Sequence, residues 1–412
     1  MSEHTTPGPE GAPGFWLEND AHRAYLAEDA RAQFRFFQAT MEHGPGFAAL
    51  DHDGGALPGN EQGLVWTARL VHSYALGHLW GEPDCWPVID RGMALLRDGL
   101  RDDAHGGWFW SLKGDDIGDD RKLAYGHVFV LLAGSTAKEA GHPDADALIA
   151  EAREVLDARF WDEDAGRFRE EYNRDWSPLS TYRGMNSNMH GTEALLAAYE
   201  ATGDRVYLDR AGRILSFFVG RMAAGNGWRI PEHYTDDWQV DPTYSGDTMF
   251  RPAGTTPGHS FELGRLALHW WDLAERPDDG TPERARRLIE QALEDGWRDP
   301  GGIAYTLDLD GKIDVSDRYW WPLTEAISAL ATLIKLERRA TDEAWYRRLW
   351  AFADSHFVDH ARGGWYPELA EDGGLADVQF KGKPDIYHSV QACLFPLAPC
   401  VSRYADGLRK LG

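Results

Sequence analysis

The chain has 412 residues, more than one ordinary domain, and carries 67 acidic against 42 basic residues for a formal net charge of −25. That charge opposes contact with phosphate backbones and anionic membrane surfaces, which argues against nucleic acid as a partner. Hydrophobic residues make up 43% and aromatics 12%, with 18 Trp, enough for a large core and for stacking surfaces. No run approaches the roughly 18 apolar residues of a membrane span.

The first segment, residues 1–14, is rich in Pro and Gly and is expected to be a flexible tail. It lacks a basic region followed by an apolar run, so it does not read as a secretory leader. Three cysteines, Cys85, Cys393 and Cys400, form no CxxC, and their odd number suits a reducing compartment; a cytoplasmic location is expected.

From residue 15 onward one pattern repeats. An amphipathic helix over 24–41 is followed by "GPGFAALD" (44–51), a glycine turn with a short period-2 strand, and then by an apolar helix over 62–80. The same three parts return as 90–100, "HGGWFWSL" (105–112) and 122–140, then as 149–161, "AGRFREEY" (165–172) and 187–202. They return again as 209–222, "GNGWRIPEHY" (225–234) and 259–275, as 284–297, "PGGIAYTL" (300–307) and 319–337, and as 343–357, "RGGWYPEL" (362–369) and 386–398. The first helix of each pair has a charged face, whereas the second is apolar nearly all round, as an inner helix must be. Six such pairs closed into a ring make an all-α (α/α)6 barrel with short β-hairpins at one rim. One closed repeat architecture thereby holds residues 15–412 in a single domain.

If the inner helices all start at the same rim, their first turns converge on the barrel axis. Those turns offer Arg69 with Trp66, Tyr125 with His127, and Asn186 and His190 with Glu193. They go on to His259 and Glu262, Trp321 and Glu325, and Asp385 and His388. Any one of these could be a hydrogen-bonded core residue, but polar groups at the same point of six repeats describe a pocket. Histidines exchange protons near neutral pH, and Trp and Tyr faces stack on sugar C–H surfaces. The pocket therefore suits proton transfer on a carbohydrate. HExxH is absent, which argues against a metal, and no GxSxG, GxGxxG or GxxxxGK[ST] stands in the right context for serine-hydrolase or nucleotide chemistry.

At these residues the sequence resembles the N-acylglucosamine 2-epimerase superfamily, in particular its aldose–ketose isomerases acting on mannose or sulfoquinovose. The carriers are "WTARLVHSY" (66–74), "KLAYGHVFVLLA" (122–133), "YRGMNSNMHGTEALLAAY" (182–199), "FRPAGTTPGHSFELGRL" (250–266), "RYWWPLTEA" (318–326) and "KGKPDIYHSVQACL" (381–394). The resemblance implies an (α/α)6 barrel, no cofactor, no metal, and reversible conversion of D-mannose to D-fructose through a cis-enediol. It implies catalytic roles for His190, His259, His388 and Arg69. Tyr125, Asn186, Arg251, Glu262, Trp321, Glu325 and Asp385 are implied as substrate-binding positions. Phe380 stands where relatives often carry Trp.

The long connection over 233–258 adds about 15 residues to its repeat and is expected to fold over the pocket mouth as a lid. A covered pocket favours a monosaccharide, held by either a monomer or a homo-oligomer. Sulfoquinovose would need cationic partners for its sulfonate, and a 2-epimerase would need bases on both faces of C2. A glycoside hydrolase would work through a carboxylate pair such as Glu262 and Glu325, and a non-catalytic sugar-binding protein would not need three histidines.

Overall fold

A computed structural model describes residues 8, 14–42, 44, 46–59, 61–244, 246 and 251–412. Apart from Gly8 and Gly14, the expected tail lies outside the described residues. Six outer helices alternate along the chain with six inner ones. The outer set is α1 (Asp20–Phe37), α3 (Trp86–Ala94), α5 (Ala145–Val155), α7 (Arg205–Phe217), α9 (Thr281–Gly296) and α11 (Ala340–His356). The inner set is α2 (Leu64–Leu79), α4 (Ala124–Glu139), α6 (Asn186–Thr202), α8 (Pro257–Leu273), α10 (Trp320–Leu336) and α12 (Tyr387–Leu397). A short α13 (Tyr404–Arg409) follows.

The inner helices touch in the cyclic order α2, α4, α6, α8, α10, α12 and back to α2, so the chain is an (α/α)6 barrel. The strips of buried residues follow the sequence pattern. In α10 every residue from Leu323 to Ile334 is buried, whereas in α9 only one stripe is, including Ala285, Leu288, Ile289, Ala292 and Leu293. Burial on all sides is what two packed rings demand of the inner one.

Local signals set the helix starts. Asn19 accepts hydrogen bonds from the amides of Ala21 (3.0 Å) and His22 (3.1 Å), so α1 begins four residues before the expected position 24. Pro257 opens α8, where the absent amide hydrogen has no helical partner to lose.

The short strands do more than form hairpins. Glu61–Gly63 pairs with Ser111–Lys113, Lys122–Leu123 with Glu171–Tyr172, Arg183–Gly184 with His233–Tyr234, and Arg318–Tyr319 with Glu368–Leu369. Bridges Thr255–Leu307 and Leu50–Lys383 supply the remaining two links. Each repeat is thus stitched to the next, the sixth to the first. At that last seam Gly382 has φ +64° and a Cβ there would lie 2.0 Å from the carbonyl oxygen of Leu50, so only glycine closes the ring. Buried Lys122–Asp102 (2.9 Å) and Lys383–Asp359 (2.7 Å) pairs pin two of the glycine turns beneath this rim.

No helix among the described residues is long and apolar enough to cross a membrane.

Candidate active site

All six inner helices begin at the strand-bearing rim, and none of their N-cap residues caps with its side chain. Six helix N-termini therefore face one pocket with their positive dipole ends, a field that favours developing negative charge.

Two histidine–carboxylate pairs stand there. His388 Nδ1 lies 2.9 Å from Glu325 Oε1, and His259 Nδ1 lies 2.9 Å from Glu232 Oε1. With the carboxylate ionised, Nδ1 carries the hydrogen and Nε2 is left as a bare base. The Trp321 ring is within stacking range of both imidazoles, at 5.0 Å and 33° from His259 and 5.9 Å and 37° from His388. Gly258 makes this possible, since a Cβ there would meet Trp321 Cζ3 at 2.3 Å.

Arg69 completes one wall. It donates to Asp385 Oδ2 (2.8 Å) and to the Tyr125 hydroxyl (3.0 Å), and its guanidinium lies over the rings of Phe129 (4.8 Å) and Tyr387 (4.6 Å). Asp385 is itself fixed by the Tyr387 amide (3.1 Å). Burial works against the Arg69 charge, but Tyr125, Asp385 and Tyr387 outweigh it and hold its pKa above the ordinary value.

His190 packs edge-on to Tyr125 (5.1 Å) and against Phe129 (4.7 Å). Burial lowers its pKa to about 4, although Glu193 pulls the other way, so it is a neutral imidazole at ordinary pH. Its Nδ1 faces Glu193 Oε2 (3.5 Å) and Glu262 Oε1 (3.4 Å). The Tyr387 hydroxyl donates to Glu193. Burial would raise Glu193, but His190, His72 and Arg265 overcome it and lower its pKa. Glu262 goes the other way. Its two oxygens have no hydrogen-bond partner among the described residues, and burial together with the charges of Glu325 and Glu193 raises its pKa well above the usual range. Buried together, the carboxyls are driven apart, Glu262 upward and Glu193 and Glu325 downward.

The ligand atoms of His190, Glu193 and Glu262 lie within 4.8 Å of one another, close enough to share an ion. The Tyr387 hydrogen bond to Glu193 and the upward shift of Glu262, which favours its protonated form, compete with that use.

Most of the expected residues thus come together, with Arg251 set apart. Arg251 lies on the rim, paired with Glu171 (2.6 Å) and stacked over Tyr182 (4.2 Å). Asn186 starts α6 with its Oδ1 buried and without a partner among the described residues. His127 is a core residue: its Nδ1 meets the Leu123 carbonyl (2.7 Å) and its Nε2 accepts from the Trp108 amide (3.2 Å). Phe380 packs edge-on against Trp320 (5.1 Å) and Tyr319 (5.4 Å). In the expected lid, Tyr244 stacks on His233 (3.8 Å), while 245 and 247–250 lie outside the described residues. Glu232, Arg265, Tyr387 and Phe129 were not anticipated. Arg265 continues the His259, Glu262 spacing by three more residues and could have been read from it. Glu232 immediately precedes the strand His233–Tyr234 that opens the long connection, where no local spacing marks it.

A family model described as N-acylglucosamine 2-epimerase (GlcNAc 2-epimerase) matches residues 46–392. A D-mannose isomerase of Thermobifida fusca is 42% identical over 408 residues, 96% of this chain and 99% of that protein. A D-mannose isomerase of Pseudomonas cannabina pv. alisalensis is 40% identical over 406 residues, covering 96% and 97%. The crystal structure of a D-mannose isomerase superposes with a TM-score of 0.85 at 29% identity, covering 94% of this chain and 99% of that one. A match over most of the chain, and two relatives at this identity over nearly their full lengths, lead to one conclusion: the chain belongs to the N-acylglucosamine 2-epimerase family.

Proposed function

We propose that the protein is an aldose–ketose isomerase that interconverts D-mannose and D-fructose. The observation that carries this reading is the pair of histidine–carboxylate dyads, His388–Glu325 and His259–Glu232, both with their imidazoles against Trp321. It is supported by relatives at 40–42% identity that bear the D-mannose isomerase name.

In this reading the sugar ring lies against Trp321. His259, exchanging protons with O5 and O1, assists ring opening. His388 Nε2 takes the C2 proton of the open-chain aldose, leaving a cis-enediol, and returns the proton to C1. The proton of O2 moves to O1 in the same passage, with neutral His190 and the Tyr125 hydroxyl beside these oxygens. Arg69 stabilises the charge that develops on them, aided by the converging helix N-termini. No Lewis acid is needed, because each proton has a side chain to carry it.

The arginines of the site favour a neutral sugar: Arg69 faces Asp385, Arg251 faces Glu171 and Arg265 faces Glu325. A sulfonate would have to displace one of these carboxylates. Glu325 is committed to His388 and Arg265, so it is not free to serve as the base or nucleophile of a hydrolase's carboxylate pair. A second reading, 2-epimerisation, is favoured by the His259 dyad, which gives C2 a base from the other side.

Incubation with mannose, with and without EDTA, followed by sugar chromatography tests the proposal. Fructose formed equally in both supports it. Glucose in place of fructose selects the epimerase reading, and activity lost to EDTA and restored by a divalent metal overturns the metal-free mechanism.

A further inference from the structure

Helix α8 carries a stripe of polar residues down the barrel axis: His259 and Glu262 at the pocket, then Arg265 one turn deeper. Arg265 is only 1% exposed, yet it is among the largest fully buried side chains. A buried guanidinium is costly unless carboxylates compensate it. Here the carboxylates of Glu325 and Glu193 do, with Glu262 beside them. Its Nη2 lies 3.5 Å from Glu325 Oε2, and Glu325, Glu193 and Glu262 together hold the Arg265 charge in place against burial.

The consequence concerns which carboxyl is protonated. Three acids are buried together, and Glu262 is the one whose pKa burial and the other two push up. Glu325 stays ionised although burial opposes it, with Arg265 the largest of the groups that lower it and His388 next. Were Arg265 removed, Glu325 would lose the largest of the groups that oppose its burial, and its protonated form would be favoured. A protonated Glu325 would donate to His388 Nδ1, place the imidazole hydrogen on Nε2 and leave no lone pair for C2. The His259 dyad lacks this support: among the described residues, the ion pairs of Glu232 include only His259.

Resting on the isomerase reading above, we infer that Arg265 is a positioning residue that fixes the tautomer of His388 through Glu325. It thereby makes His388, rather than His259, the C2 base. Arg265 does not touch the sugar. The other ionisable groups around the dyad are Glu262 of α8, Glu193 and His190 of α6, Arg69 and His72 of α2, and Asp385 and Tyr387 of α12.

The test is a double-variant cycle read by pH profile. Arg265→Met lowers kcat by about 10- to 100-fold, the usual cost of losing a partner that orients a histidine from behind, with KM little changed. Removing a cation favours protonation of the dyad, so the acid limb of kcat/KM moves to higher pH. Arg265→Lys restores the limb. Glu325→Gln lowers kcat by itself, and adding Arg265→Met to it causes little further loss. Additive losses in the double variant, or a wild-type kcat and limb in Arg265→Met, overturn the inference. If Arg265→Met does not fold, Arg265→Lys is read in its place, and a displaced limb there overturns it equally. The wild type is first assayed on a panel of aldoses, and the cycle is run on whichever sugar it converts. A wild type inactive on every aldose sinks the isomerase reading alone. Nitrogen-15 imidazole spectra then still decide the Arg265 inference, which requires the hydrogen on Nδ1 of His388 in the wild type and on Nε2 in Arg265→Met or, failing that, in Arg265→Gln.

Discussion

His388 Nδ1 and Glu325 Oε1 lie 2.9 Å apart although they come from helices α12 and α10, 63 residues apart in the chain. This contact turns a histidine at a helix start into a directed base. If His388 carries the proton from C2 to C1, His388→Ala abolishes mannose conversion while the pocket-lining position spares the fold. In D2O the wild type places deuterium at C1 of fructose, below one equivalent where the shielded base returns part of the original proton. His259→Ala retains exchange at C2. Exchange lost in His259→Ala but kept in His388→Ala would swap the two roles.

Arg69 is held by Asp385 and Tyr125 and faces the position given to the enediol oxygens. Arg69→Met should cost about 3 kcal/mol of transition-state stabilisation, the order found for one donor at an oxyanion site, or about a hundredfold in kcat. Circular dichroism should remain native. Normal turnover in a folded variant would contradict the role.

Burial and the neighbouring Glu325 and Glu193 favour the protonated form of Glu262, so an amide of the same shape is a close replacement. Glu262→Gln is expected to keep kcat within about tenfold of wild type, equivalent to about 1.4 kcal/mol, whereas Glu262→Asp, which shortens the reach, loses more. A Gln variant as inactive as His388→Ala would mean that Glu262 works as a carboxylate.

His127 gives a stability prediction. Burial, with the Lys122 charge, lowers its pKa to about 3 despite the Leu123 carbonyl. The folded-state pKa is below the unfolded one, so the unfolded chain takes up a proton first on acidification. Stability present above pH 6.5 is then lost as pH falls, by about 2 kcal/mol between pH 6.5 and 5. His72 and His190, each lowered to about 4 by burial, act in the same direction. Glu170, raised to about 7 by burial, acts in the opposite one between pH 4.5 and 7. The readout is therefore the difference between variant and wild type. His127→Gln has a lower Tm at pH 7 but a smaller further drop at pH 5, and an equal drop in both proteins would show that His127 is not the neutral buried group described.

The architecture was legible in the sequence because six copies of a helix–turn–helix unit, with apolar second helices, have few ways to hide those helices except inside a ring. The convergence of Arg69, Tyr125, His190, His259, Glu262, Trp321, Glu325, Asp385 and His388 followed, since residues at the same point of each repeat share one end of the axis. What a single chain of letters leaves undetermined is everything that depends on contact between positions far apart in the chain. The pairing of His259 with Glu232 and of His388 with Glu325 joins residues 27 and 63 positions apart. The upward shift of Glu262 against the downward shifts of Glu193 and Glu325 arises only when these acids and Arg265 are packed into one buried volume. Residue types and spacing name the groups that can move a proton; the distances and burial of the assembled barrel decide which of them hold one.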